Sequence, residues 1–326
     1  MTDIGVMIPT LNSMPAIQAH VSKLNEWIHH VGQVIVVDSE STDGTIEYIR
    51  ENLAHDHIVY INRPRGLYQS WNEGISHIQK KYTYISTVGD LISGTTLKRL
   101  YELAEKNQVA VVLSPPRLVD TRGKRLTNDW PIHQFIKNHV TSSTYHLSAI
   151  ERLVYSCLYL PGTLMGSSAS NLYLTKCLLE APFPTDYGHC GDSIWALTRP
   201  LDEDWLIFRD MESTFLVHKK MRSKNYSPGA YRANIYGLAE DQLLKMKASV
   251  SGKEMELVEY CHRELSSFWA RKEAVMSQYR AIKAGAIPWY LSPKGWSVRR
   301  EKYELNDRIK EIQRKVENAL LISKSD

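Results

Sequence analysis

The sequence predicts an α/β fold. A mostly parallel central sheet flanked by helices, in the Rossmann manner, fills residues 1–220, and a helical extension follows over residues 221–326. Two observations carry this. Through the first 115 residues, short aliphatic runs alternate with helical patterns, the mark of βαβ units. After about residue 228 the aliphatic runs stop and amphipathic helical spacing takes over.

Each element can be read in turn. "IGVMIPT" is a strand. Ile17, Val21, Leu24 and Ile28 then give helical spacing from about 14 to 31. "QVIVVD" is a second strand, and "TIEYIRENL" a helix capped by Asp43 or Thr42. "HIVYIN" is a third strand and "GLYQSWNEGISHIQKKY" a helix. "YTYISTVGD" is a fourth strand ending in Gly-Asp, and "TTLKRLYELAEKN" leads to the strand "VAVVLS". From 117 to 170 the pattern is irregular and rich in His, Thr, Ser and Asn, before "GHCGDSIWALTRPL" returns to helical spacing.

Composition removes several classes. The chain is 43% hydrophobic and 23% charged, so it can bury an ordinary soluble core. "MTDIGVMIPTLN" has neither a basic nor a long apolar start, so no signal peptide is expected. No apolar run reaches the roughly 18 residues of a membrane span. Cys157, Cys177, Cys190 and Cys261 form no CxxC pair, as expected of reduced thiols in a cytoplasm. The net charge of +4 is uneven: 22 Lys+Arg against 13 Asp+Glu from residue 215 onward, and 18 against 23 before it. No nucleic-acid motif accompanies the basic end, so a nucleic-acid partner is not expected.

Neither GxGxxG nor GxxxxGK[ST] occurs, so the dinucleotide and P-loop readings lose their main support. Strand ends carry acids and small polar groups instead. Asp38 can accept from a base imide or a ribose hydroxyl. Pro9 stiffens the exit of the first strand, and Thr10 and Asn12 offer further polar contacts.

With "IPTLN", "VIVVDSESTDGT", "RGLYQSWNEGI", "YISTVGDLISGTTLKRL" and "GHCGDSIWALTRP" in this order, residues 3–220 resemble the inverting family 2 glycosyltransferases of the GT-A fold. The resemblance implies a nucleotide-sugar donor, UDP- or another NDP-sugar, and a glycan or lipid-linked glycan acceptor in surface polysaccharide synthesis. It implies that Asp38 reads the base, that Gly66, Tyr68 and Asn72 sit near the nucleotide, and that Thr87 meets the ribose. Arg65 can meet a phosphate, because its guanidinium matches phosphate geometry. Asp90 and His218 would hold a magnesium or manganese ion on the diphosphate, with Lys219, Lys220 and Arg222 close in sequence. Asp192 would be the general base.

Four positions depart from the family pattern. Gln69 stands where an Asp is frequent, Thr87 and Gly89 stand where acids are frequent, and Gly191 stands where a Glu precedes the base. Each residue also has a plain structural role open to it: Asp38 as a turn former, Asp192 as a helix cap, Asn72 as a brace. His189 and Cys190 are expected to pack, and "GSSASN" is given no chemistry.

In the extension, Leu305, Ile309, Ile312, Val316 and Ala319 form an a/d seam, which can pair with a second copy or with the chain's own helices. Trp289, Tyr290 and Trp296 alternate with Lys294, Arg299 and Arg300, which suits peripheral contact at the inner face of a membrane or a core with a basic rim. Two rival functions stand beside the transferase. A sugar-1-phosphate nucleotidyltransferase needs a Gly-rich basic loop after the first strand, which "PTLNSMP" lacks. A binding protein with a degenerate active site fits the thinned acidic cluster.

Overall fold

The computed structural model describes residues 1–127, 129–199, 203–210, 212–217, 228–284 and 292–323. The strands are β1 (Ile4–Thr10), β2 (Gln33–Asp38), β3 (Ile58–Asn62), β4 (Tyr82–Ile85), β5 (Val111–Leu113), β6 (Arg117–Val119), β7 (Thr144–Leu147), β8 (Leu172–Leu174), β9 (Trp205–Phe208) and β10 (Thr214–Leu216). The helices are α1 (Met14–Leu24), α2 (Thr45–Asn52), α3 (Leu67–Ser76), α4 (Gly94–Asn107), α5 (Pro131–His139), α6 (Ala149–Tyr159), α7 (Thr175–Glu180), α8 (Gly191–Thr198), α9 (Pro228–Ser249), α10 (Gly252–Ala284) and α11 (Pro293–Ser323).

Eight strands form one sheet in the order β3-β2-β1-β4-β8-β5-β9-β7. β3, β2, β1 and β4 are parallel; β8 runs against both of its neighbours, and β7 against β9. β1 is buried along its whole length, as an apolar central strand covered on both faces must be. Ile4, Val6, Ile8, Val34 and Val36 form a core with Ile17, Val21 and Leu24 of α1 and Leu97 and Leu100 of α4. On the opposite face α3 comes close: a Cβ at Gly74 would lie 2.6 Å from Met7 Cγ and 2.7 Å from Val37 Cγ2.

Three sequence expectations shift. The helix expected over 14–31 stops at Leu24. Asn25 turns its amide to the end of α2, donating to Asn52 O and accepting from Ala54 N, and only a 3-10 turn follows at Ile28–His30. α3 ends at Ser76, well before Tyr82. β4 ends at Ile85 rather than at the Gly-Asp pair. Thr87–Asp90 is a turn closed by Asp90 N donating to Thr87 O at 3.0 Å, with Gly89 at φ +99°. The turn sends Leu91 to bridge Thr214, and β10 pairs in turn with β6.

The chain divides into two compact units, Met1–Ala149 with Gly162–Tyr226, and Ile150–Pro161 with Ser227–Asp326. The second therefore takes in a segment that precedes the boundary read near residue 220. In it α10 packs along both α9 and α11. Leu305, Ile312 and Val316 of the a/d seam are buried and Ile309 and Ala319 partly so. The seam thus packs against the chain's own helices. Trp296 and Tyr303 remain 56% and 57% exposed, with the Arg299 guanidinium 5.9 and 5.7 Å from their ring centres. Trp289 and Tyr290 lie outside the described residues. Among the described residues, no helix is long and apolar enough to cross a membrane.

Candidate active site

β1, β2 and β3 end side by side, with Thr10, Asp38 and Asn62 in register. Ligands of parallel sheets bind at this carboxyl edge, and two hollows open there. The larger, about 620 Å³, is lined by Asn12, Tyr68, Thr87, Asp90 and Asp192, five of the residues singled out in the sequence. The smaller, about 380 Å³, is lined by Asp38, Ser41, Thr42, Arg50, Tyr60 and Asn62. Asn12 is the partition between them. It takes the left-handed conformation (φ +46°), which Asn tolerates better than most residues. Its N–H donates to Ser41 Oγ and its Oδ1 accepts from Thr42 N, both at 2.9 Å.

Asp38 is buried at the end of β2. Its Oδ2 accepts from Ser41 N at 2.8 Å and its Oδ1 from Ser41 Oγ at 2.6 Å. The N-cap of α2 is Gly44, in the left-handed conformation, rather than Asp43 or Thr42; Asp43, just before it, accepts from Thr45 N at 3.1 Å and from Met14 N at 3.0 Å, tying the starts of α2 and α1. Pro9 and Thr10 are buried inside β1 and line neither hollow. Arg65 and Gly66 also lie outside both. Arg65 is exposed, and Gly66 starts α3 by accepting Ser70 N at 2.9 Å.

Asn72 does not face a hollow. Its Nδ2 donates to Phe183 O at 2.8 Å and its Oδ1 accepts from Phe183 N at 2.9 Å, so the whole amide braces the segment leading to α8. Tyr68 belongs to the same bracket, stacking on Phe183 with ring centres 5.8 Å apart. Its hydroxyl lies 3.0 Å from His189 O and also within hydrogen-bonding reach of Asp192.

Asp192 sits in the first turn of α8, and its Oδ1 accepts from Ser193 N at 2.7 Å. Burial is the dominant influence and lifts its pKa to about 6, against the opposing hydrogen bonds from Ser193 and Tyr68. The preceding Gly191 has a packing reason. A Cβ there would lie 2.5 Å from both Pro184 O and the Tyr68 ring, so no side chain fits. Gly191→Ala is expected to destabilise the fold by about 1–3 kcal/mol, as overpacked sites do. A drop in melting temperature of a few degrees checks this; an unchanged value would mean that the loop yields freely.

Asp90 is 6% exposed. It accepts from Leu216 N at 3.1 Å and from the Ser167 hydroxyl, and burial pushes its pKa up to about 7. Beneath it, His20 is held to Ser86 Oγ at 3.0 Å, and burial lowers its pKa to about 4, so it is neutral and supplies no counter-charge. Among the described residues no cation pairs with Asp90, and no cluster of three or more His, Cys, Asp or Glu forms. A buried carboxylate without a counter-ion at the wall of a hollow suits a divalent ion that takes its remaining ligands from phosphate and water. His218, Lys219, Lys220, Arg222 and Lys224 lie outside the described residues.

The hollow also holds residues to which the sequence reading gave no chemistry. Trp130 and Phe215 meet edge to face at 4.7 Å, and Gly166, Ser167 and Ser168 come from the "GSSASN" run. His189 lines the wall, where packing had been expected. The small-residue run was the one sequence signal of a close approach here.

Residues 5–154 match the family model described as glycosyl transferase family 2. A search of curated proteins found no significant match. Among solved structures, S. aureus TarS 1–349 in complex with UDP is similar at 15% identity, with a TM-score of 0.56, over 96% of this chain and 91% of that one. The same fragment with UDP-GlcNAc gives a TM-score of 0.57 at 15% identity, over the same shares of both chains. The mannosyltransferase PcManGT from Pyrobaculum calidifontis, in complex with GDP-Man and Mn2+, gives 0.54 at 16% identity over 98% of this chain and 86% of that one. Residues 5–154 are thus a glycosyl transferase family 2 segment, and the chain that carries them has the GT-A fold.

Proposed function

We propose that the protein transfers a sugar, with inversion, from a nucleotide-sugar to an acceptor hydroxyl, using residues 1–220 as the catalytic part and 221–326 as an extension. The observation that carries this is the meeting of Asp90 and Asp192 on one hollow at the carboxyl edge of the sheet. The base and ribose lie toward Asp38 in the smaller hollow, and the diphosphate passes Asn12 toward Asp90. Asp90, with His218, would hold a manganese or magnesium ion, which when bound neutralises charge on the departing nucleoside diphosphate. Asp192 takes the proton from the acceptor hydroxyl as it attacks. One base and one displacement give inversion. UDP, UDP-GlcNAc and GDP-Man in the neighbouring structures support a nucleotide-sugar donor, and the Mn2+ beside GDP-Man supports the ion.

A thermal-shift screen of UDP, GDP and their sugars, with and without Mn2+, tests the donor assignment, followed by detection of sugar-nucleotide hydrolysis. Stabilisation by a nucleoside diphosphate with slow hydrolysis is expected; no stabilisation by any of them rejects the reading. Asp38→Ala is expected to weaken nucleoside diphosphate binding about tenfold, the loss of roughly one charged hydrogen bond. Unchanged affinity by calorimetry would leave Asp38 as a turn former only.

The acceptor in this proposal is a glycan, free or lipid-linked, of surface polysaccharide. The exposed Trp296–Tyr303 face with Arg299 and Arg300 would rest on an anionic membrane surface. Vesicle sedimentation reads this directly: binding to anionic vesicles should fall as salt rises, and equal binding to neutral vesicles rejects the contact.

A further inference from the structure

The smaller hollow at the sheet edge offers a base more than Asp38. Asp38 itself is already engaged: it is 4% exposed, and each of its oxygens accepts from Ser41, at 2.8 and 2.6 Å. Two polar side chains of the same hollow are not engaged. Glu40 and Asn62 are exposed and line it, and neither side chain makes a hydrogen bond or ion pair with a described residue. Ile46, Ile61 and Tyr60 add apolar walls, with the Arg50 guanidinium 5.3 Å from the Tyr60 ring centre. Apolar walls with a few placed polar groups are what a bound base needs.

Both side chains start from fixed backbone. Glu40 has φ +59°, in the left-handed region that residues other than glycine enter at a cost. The chain on either side holds it there: Ser39 N donates to Thr10 O at 2.9 Å, and Ser41 N donates to Asp38 Oδ2. Asn62 ends β3 in register with Asp38, and the next residue, Arg63, donates its N–H to Asp38 O at 3.0 Å. Glycine would take the Glu40 backbone without strain. A carboxylate held instead at such a position, on the wall of a ligand hollow, points to a task for its side chain.

We infer that Glu40 and Asn62 select the base of the donor, and that this base is guanine. The inference rests on the transferase reading for the presence of a nucleotide. Complementarity decides between the bases. A carboxylate only accepts, and its two oxygens lie side by side. Of the common bases, guanine presents two neighbouring donors to such a fork, N1–H and N2–H, with O6 next to them for the Asn62 amide. Uracil presents one N3–H between two carbonyls, so the second carboxylate oxygen would face a carbonyl lone pair. Adenine and cytosine present an amino donor beside a ring acceptor and meet the same conflict. Paired donors on a charged acceptor form the strong class of hydrogen bond.

Calorimetry of the full chain with GDP, IDP and UDP, in the presence of Mn2+, tests it. IDP differs from GDP in lacking the 2-amino group. GDP is expected to bind about tenfold or more tightly than IDP, the worth of one charged hydrogen bond, and to exceed UDP by at least as much. Glu40→Gln turns one acceptor into a donor. It should weaken GDP about tenfold or more and leave UDP no weaker, a change of ratio that a merely structural role would not produce. Glu40→Gly, which suits the left-handed backbone, should fold normally and bind GDP and IDP alike. Equal affinity for GDP and UDP, equal affinity for GDP and IDP, or an unchanged GDP-to-UDP ratio in Glu40→Gln would overturn the assignment and leave the transferase reading standing. The predicted preference for GDP, with hydrolysis or transfer of no GDP-sugar, would keep the guanine site and reject the transferase. Binding of no nucleoside diphosphate would reject both.

Discussion

Asp90→Asn is expected to abolish the benefit of Mn2+ and to cut turnover by about 100-fold or more, since a bound ion contributes several kcal/mol to a charged transition state and each 1.36 kcal/mol is tenfold in rate. The substitution is a clean one. Asn keeps an oxygen for Leu216 N, so the link between the Thr87–Asp90 turn and β10 survives. It also removes the expense of a buried, unpaired carboxylate, whose pKa burial has pushed to about 7. The variant should therefore fold at least as well as the wild type and bind nucleoside diphosphate equally with and without Mn2+. Retained Mn2+ enhancement in calorimetry, or full wild-type turnover in excess chelator, would remove the metal role and give the leaving group to the basic run after β10.

Much of the sheet half was legible because β1 and β2 are continuous aliphatic runs, and buried parallel strands read that way. Their carboxyl ends followed directly, and so did Asp38 and Asn12. The region from 117 to 170 was not legible. β6 and β7 are short and owe their existence to β10 and β9, far along the chain, rather than to local pattern. The same limit governed the site. Tyr68 and Asn72 were picked out, but their partners, His189, Asp192 and Phe183, come from a segment that no spacing rule connects to α3. A helix-spaced Asn reads alike whether it faces a nucleotide or clamps a backbone.

The environment of Asp192 makes the largest prediction. An acid in the first turn of a helix should be kept ionised by the helix dipole, and that alone would make it a poor base. Burial instead dominates and lifts its pKa to about 6, before any acceptor is bound. As a general base it must be ionised, so turnover should rise with pH up to about 6 and level off above. Asp192→Asn is expected to lose about 10²–10⁴-fold in turnover, the usual contribution of such a base, with nucleotide affinity near wild type. The stability change separates this from a capping role. A carboxyl whose folded pKa is raised favours the fold at low pH and loses that advantage as pH rises from the unfolded value, near 4, through about 6. At pH 8 the ionised form is therefore a burden, and the neutral Asn variant should be more stable than wild type by roughly 1–3 kcal/mol. Loss of a cap would instead destabilise by about 1 kcal/mol. Tyr68→Phe removes a hydrogen bond that lowers the Asp192 pKa, so it should move the pH midpoint upward without abolishing turnover. Near wild-type turnover in Asp192→Asn, together with lower stability, would return Asp192 to the role of a helix-start residue and leave the reaction without this base.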